Sequence, residues 1–134
     1  MIHAVMQSAV LLCIDDDQDL LECEKAFLEI FGYTVLTALS GKEALELSSV
    51  HSVDVVIVDY VMPEMNGQEF AVKMKRLRPQ AAIIMLSAAP DVPGGALNLV
   101  DAFIPKVCLS SQLLPMIVQL HGDMLATPSL GYDT

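Results

Sequence analysis

Four short apolar runs, each ending on a polar residue, constrain the fold of this chain more than any other feature. Val10-Leu11-Leu12-Cys13-Ile14 runs into Asp15-Asp16, and Val55-Val56-Ile57-Val58 into Asp59. Ile83-Ile84-Met85-Leu86 runs into Ser87, and Phe103-Ile104-Pro105 into Lys106. Runs of about 4–6 apolar residues without polar alternation read as strands covered on both faces, as in parallel sheets. In open α/β sheets the ligand site lies beyond the carboxyl ends of the strands. The polar residues at these ends are therefore expected to meet at one edge. Carboxylates, a hydroxyl and an ammonium gathered there make a divalent-cation and phosphoryl site.

The segments between the runs alternate as β-α-β-α. The first strand is placed at residues 9–14. A helix is predicted over residues 17–31, with Leu20, Cys23, Phe27, Ile30 and Phe31 at helical spacing and Gly32 closing it. Thr34-Val35-Leu36-Thr37 is a shorter, less apolar strand, expected near a sheet edge. Ser40 and Glu43 have the spacing of a capping box, which opens a second helix through Leu47. Residues 54–58 form the third strand and residues 60–67 a loop. A third helix carries Phe70, Met74 and Leu77 on one side and stops at Arg78-Pro79. Residues 82–86 are the fourth strand.

Pro90, Pro93, Gly94 and Gly95 then work against a regular helix, so the fourth helix is expected to be short or degenerate, near residues 96–100. Residues 101–104 are the fifth strand. Ser110 or Ser111 caps a last helix with Leu113, Leu114, Ile117, Val118 and Leu120 inward, Pro115 being tolerated in or near its first turn. The division is a leader over 1–8, one domain over 9–121 and a tail over 122–134. Right-handed crossovers give a doubly wound, five-stranded parallel sheet with helices on both faces. In the flavodoxin-like order 2-1-3-4-5, strands one and three are neighbours, which brings Asp15-Asp16 beside Asp59.

With 134 residues the chain is one domain able to bury a core. A net charge of −10, with only 7 lysines and arginines, argues against a direct nucleic-acid contact surface. No apolar stretch approaches the ~18–20 residues of a membrane span, and the first eight residues lack signal-peptide organisation. Cys13, Cys23 and Cys108 show no paired spacing, and Cys13 falls inside a strand. Reduced thiols and a cytoplasmic location are the expectation.

Neighbouring carboxylates repel unless a cation sits between them. Mg2+ suits such a site, because it binds through a few carboxylates, keeps waters and accepts phosphate oxygens. One carboxylate is then free to attack phosphorus and form an aspartyl-phosphate. Lys106 supplies positive charge to the phosphoryl oxygens and Ser87 a hydroxyl donor. Asp17 reads as no more than a helix cap.

These segments resemble the receiver domains of response regulators in two-component signalling. Residues 12–21, with Asp15, Asp16, Asp17 and Asp19, resemble the acidic first loop of that family. Asp59, Met62-Pro63, Met65 and Gly67 resemble the phosphoacceptor motif D-x-x-M-P-x-M-x-G; Ser87-Ala88 and Phe103-Ile104-Pro105-Lys106 follow in the family's order. The resemblance covers residues 9–121 and is that of a chemotaxis-regulator-like, single-domain receiver. It implies Asp59 as phosphoacceptor, Asp16 as direct metal ligand, Asp15 as ligand through water and the backbone carbonyl of Val61 as a further ligand. Ser87 and Lys106 would hold the phosphoryl group, and Phe103 takes the aromatic switch position beside Ser87. The implied cofactor is Mg2+, and the implied partners are a sensor histidine kinase or histidine phosphotransfer protein and a downstream target protein. The domain would be no enzyme beyond catalysing its own phosphorylation and dephosphorylation.

Several positions depart from the pattern. Val107 stands where the family usually has a cis proline, and a cis bond before it would cost about 2.5–4 kcal/mol. The stretch between Ser87 and Lys106 is short. Val61 and Ala89 are apolar where polar residues often position the hydrolytic water, so slow self-dephosphorylation is expected. One alternative is a pseudo-receiver that binds partners without carrying phosphate. Another is an Mg2+-dependent phosphatase with an aspartate nucleophile; the general-acid aspartate it needs two residues on is Val61 here.

Overall fold

The computed structural model describes residues 9–88 and 98–121. Its five strands are β1 (Val10–Ile14), β2 (Thr34–Ala38), β3 (Val55–Asp59), β4 (Ala82–Ser87) and β5 (Ala102–Pro105). All pair in parallel, in the order β2-β1-β3-β4-β5. This is the doubly wound, flavodoxin-like sheet that the apolar runs predict. Helices α1 (Gln18–Ile30), α2 (Gly41–Val50), α3 (Gly67–Leu77) and α4 (Leu109–His121) cover it.

The alternation of side chains along each strand splits the core in two. Leu11, Cys13, Val55, Ile57, Ile84 and Ile104 pack with Leu21 and Leu28 of α1 and Leu113 and Ile117 of α4. Leu12, Ile14, Val56, Val58 and Ile83 pack on the other face, with Ala44 of α2 and Phe70, Ala71 and Met74 of α3. Both faces of β1, β3 and β4 are thus dry, which explains the unbroken apolar runs. Two acids reinforce the sheet outside its regular ladders. Asp54 Oδ2 accepts the Val10 N–H at 2.8 Å, and Asp101 Oδ2 accepts the Ile83 N–H at 2.8 Å and an ammonium hydrogen bond from Lys75 at 3.2 Å.

The helices correct several expectations. In α1 the buried stripe is Leu21, Glu24 and Leu28, one position on from the predicted Leu20, Cys23, Phe27 and Ile30. Ile30 is 78% exposed and Phe27 39%. A glutamate in the middle of the buried face hid the true phase. Asp17 caps α1 by accepting the Leu20 N–H, and Gly32 closes it at φ 93°. In α2 the Ser40 hydroxyl accepts the Glu43 N–H, but the Glu43 carboxylate reaches the Leu39 N–H rather than that of Ser40. The complete capping box belongs to α3, between Asn66 and Glu69.

Helix α4 begins at Leu109, directly after a 3-10 turn over Lys106–Cys108, so Ser110 and Ser111 lie inside it. Pro115 sits beyond the first turn, on the exposed side. Leu77, expected inward, is 40% exposed. Of the short helix expected at 96–100, residues 98–100 are turn and irregular backbone, and the rest lies outside the described residues, as does Ala89. Among the described residues every peptide bond is trans, including the one before Val107.

Two residues carry consequences for stability. Gly67, first in α3, bonds its N–H to the Tyr60 carbonyl at 2.8 Å. A Cβ there would lie 2.8 Å from the Asp59 carbonyl oxygen and 2.9 Å from Tyr60 Cα, both backbone atoms. Gly67→Ala is therefore expected to cost roughly 1–3 kcal/mol, read as a lower midpoint in urea denaturation; an unchanged midpoint would refute the close approach.

Glu24 is 6% exposed. Burial, opposed by a hydrogen bond with the Cys13 thiol and reinforced by the charge of Asp15, raises its carboxyl from 4.5 to about 7. The folded chain then keeps a proton that the unfolded chain has released. This contribution is intact below about pH 4.5, declines as pH rises to about 7 and levels off beyond. Wild type is expected to lose up to roughly 3 kcal/mol across that window relative to Glu24→Gln. Parallel pH profiles of the two proteins in chemical denaturation would rule this out.

Candidate functional site

The strand order turns the polar ends of the apolar runs into neighbours. Ile14 pairs with Val58, so Asp15 and Asp59 follow side by side; Asp59 in turn pairs with Leu86 and Ser87 with Pro105. Asp59 and Ser87 are the last residues of their strands rather than the first beyond them. Asp15, Asp59 and Ser87 are all buried, and Asp16 is exposed.

Lys106 holds the centre. Its Nζ donates to Asp15 Oδ2 at 2.9 Å and to Asp59 Oδ2 at 3.0 Å. The remaining Asp15 oxygen, Oδ1, accepts the Asp17 N–H at 3.0 Å, which ties the acidic loop to the start of α1. Burial raises the Asp59 carboxyl above its usual range; the hydrogen bond and charge of Lys106 pull it down, Asp15 pushes it up, and the backbone of Val61 lowers it. For Lys106, burial works against the ammonium. The hydrogen bonds and charges of Asp15 and Asp59 outweigh that and leave its pKa raised. The site is thus short of positive charge.

One ligand oxygen from each of Asp15, Asp16 and Asp59 lies within 4.8 Å of the others. An all-oxygen, carboxylate-rich set with a single ammonium nearby fits a hard divalent cation such as Mg2+, which takes part of its shell from water. Asp15, Asp16 and Asp59 would hold it.

The loop after β3 is shaped around this cluster. Gly67 seats the start of α3 on the backbone of Asp59 and Tyr60. Pro63, Glu64 and Met65 form a tight turn in which the Met65 N–H reaches the Pro63 carbonyl at 2.7 Å. Glu64 there has φ 69°, a left-handed conformation costing about 1–3 kcal/mol in a non-glycine residue. Val61 projects into solvent at 64% exposure.

Asp15, Asp16, Asp59 and Lys106, predicted from strand ends, are thus brought together. Ser87 ends the next strand, and Phe103 is a partly buried residue of β5 paired with Met85. Glu24 went unnoticed in the sequence, because a glutamate within a helix ordinarily faces water. Its burial beneath the site, within reach of the fields of Asp15, Lys106 and Asp59, follows only from packing.

A family model described as the response regulator receiver domain matches residues 11–117. Among curated proteins, the response regulator SaeR of Staphylococcus aureus strain USA300 is 40% identical over 78 residues, covering 58% of this chain and 34% of that protein. The matched stretch thus spans about a third of the length of the curated relatives. Among solved structures, the response regulator TrrA of Thermotoga maritima, crystallised with Mg2+-BeF, has a TM-score of 0.78 at 28% identity, covering 84% of this chain and 98% of that one. A CheY-like receiver domain from Methanospirillum hungatei JF-1 has a TM-score of 0.80 at 29% identity, with coverages of 84% and 93%. Sheet order, acidic cluster and these likenesses agree: the chain belongs to the response regulator receiver domain family.

Proposed function

We propose that this domain is a phosphorylatable signalling switch that accepts a phosphoryl group on Asp59 and signals by docking to a partner protein. The observation that carries the reading is the Lys106 ammonium bridging Asp15 and Asp59 beside a third carboxylate, Asp16. The donor is a phosphohistidine of a sensor histidine kinase or of a histidine phosphotransfer protein. An Asp59 carboxylate oxygen attacks phosphorus, an O–P bond forms, the P–N bond to the histidine breaks, and the nitrogen keeps the electron pair. Lys106 offsets charge on the phosphoryl oxygens, and the Ser87 hydroxyl donates to one of them. Bound Mg2+ would supply further positive charge at the phosphoryl oxygens. The chain acts only on itself, the working compartment is the cytoplasm, and the downstream target is a protein rather than nucleic acid.

Incubation with acetyl phosphate and Mg2+ is expected to add one phosphate to the intact mass. The adduct should disappear in Asp59→Asn and fall sharply in Asp16→Asn or on chelation. A chain that stays unmodified while a control receiver is labelled would instead favour the pseudo-receiver.

Val61 presents an apolar, exposed side chain two residues from Asp59, where a polar group would orient attacking water. The phosphorylated chain is therefore expected to persist well beyond seconds once the donor is removed, and Val61→Asn to shorten that lifetime. Decay of the wild-type adduct within seconds would overturn this expectation.

A further inference from the structure

We propose that the outward face of α1, with the cleft between α1 and α4, is a docking surface for a second copy of this chain, paired antiparallel about a two-fold axis. Helix α1 carries two apolar stripes. Leu21 and Leu28 turn to the core, while Leu20, Cys23, Phe27 and Ile30 recur at the three-four-three spacing of a helix–helix seam. Cys23, Phe27 and Ile30 of this second stripe are exposed, and Leu20 is half-buried. The Phe27 ring packs edge-on against Phe31 at 5.2 Å, which braces it. Val107, 89% exposed on the 3-10 turn, extends the apolar surface toward α4. Apolar side chains gathered on one face stay costly in water until something covers them.

The face is complementary to itself. A cleft of about 280 Å³ lies between Leu20, Cys23 and Phe27 of α1 on one side and Val107, Leu109 and Leu113 on the other. Of its polar border, Lys106 Nζ is held by Asp15 and Asp59, Glu24 is buried and Ser110 is exposed. Ile30 stands at the opposite end of the stripe, ~15 Å along the helix from Leu20. An antiparallel pair centred at the level of Lys25 sets Leu20 opposite Ile30 of the second copy and Cys23 opposite its Phe27. Each Ile30 then enters the other copy's cleft beside Val107, a space that suits one branched side chain. The two contacts are equivalent, as an isologous interface requires. Charge opposes the pairing: the chain carries −10, and Asp19, Glu22 and Glu29 accompany a single Lys25 on α1. A seam of two heptads also offers less than the roughly 800 Å² per partner of a standard interface. The dimer is therefore weak, and salt tightens it by screening like charges.

This surface is independent of the phosphorylation reading and needs no phosphate or metal. The test is sedimentation equilibrium of the full chain up to about 1 mM, with reductant present so that Cys23 forms no crosslink. A monomer–dimer equilibrium is expected that tightens several-fold between about 0.05 M and 0.5 M NaCl, whereas a charge-driven contact would loosen. Ile30→Lys and Val107→Asp, both at exposed positions, should each weaken the dimer by about tenfold or more. Mixing the two variants should restore association, because each heterodimer joins one unchanged Ile30–Val107 contact and one pair of opposite charges. The exposed control Val50→Asp should leave the equilibrium as it is. A monomer at every concentration, a dimer indifferent to Ile30→Lys and Val107→Asp, or a mixture no tighter than either variant alone would each overturn the proposal. So would a monomer in which the Ile30 and Val107 methyl groups show NOEs to residues 1–8 or 122–134, which would assign the face to the chain's own ends.

Discussion

Strand β3 is buried along its entire length, and the rest of the molecule is arranged around that constraint. A strand covered on both faces has no place for a charge except at its ends, because an unpaired buried charge costs several kcal/mol. β1 and β4 obey the same rule, so the first polar groups after each strand fall on one edge of the sheet. Acids flanking the strands therefore sit at their ends: Asp15 and Asp59 at the carboxyl edge, Asp54 and Asp101 just before β3 and β5. The close approach at Gly67 then lays α3 directly against the backbone carrying Asp59, which keeps the segment from Asp59 to Gly67 tight against the strand end.

Concentrating carboxylates creates an electrostatic problem that the chain solves only in part. Lys106 reaches from the end of β5 to Asp15 and Asp59, but Asp16 adds a further negative charge on the solvent side. A site left short of positive charge favours a bound cation. Glu24 lies behind this cluster in the dry layer between β1 and α1, and its raised carboxyl is first a consequence of burial. Its neutral form suits the apolar surroundings.

Much of this arrangement was legible in the residues. The apolar runs identified the strands to within a residue or so, and the strand order followed from crossover handedness and the usual switch-point topology. With that order, Asp15, Asp16, Asp59 and Lys106 had to converge. The helices were read less well. The phase of α1 was missed by one position, because Phe27 and Ile30 look like core while Glu24 does not. The capping signal Asn66 to Glu69 was present and passed over in favour of the one at Ser40, whose glutamate in fact bonds to Leu39. The start of α4 was placed too late, because a serine cap was expected where a 3-10 turn simply runs on into the helix.

The sequence by itself determined the sheet and the identity of the residues at its carboxyl edge. Hydrophobic runs are local, and the rule that sends polar groups to strand ends acts within each segment. Only the tertiary structure decided which face of α1 turns inward, that Lys106 bridges two acids at once, and that Glu24 is left with a buried, unsatisfied oxygen. Those outcomes depend on how α1, α4 and the 3-10 turn pack against one another. Packing energy over a whole helix face is large enough to bury one carboxyl that its own residue type would have sent to water.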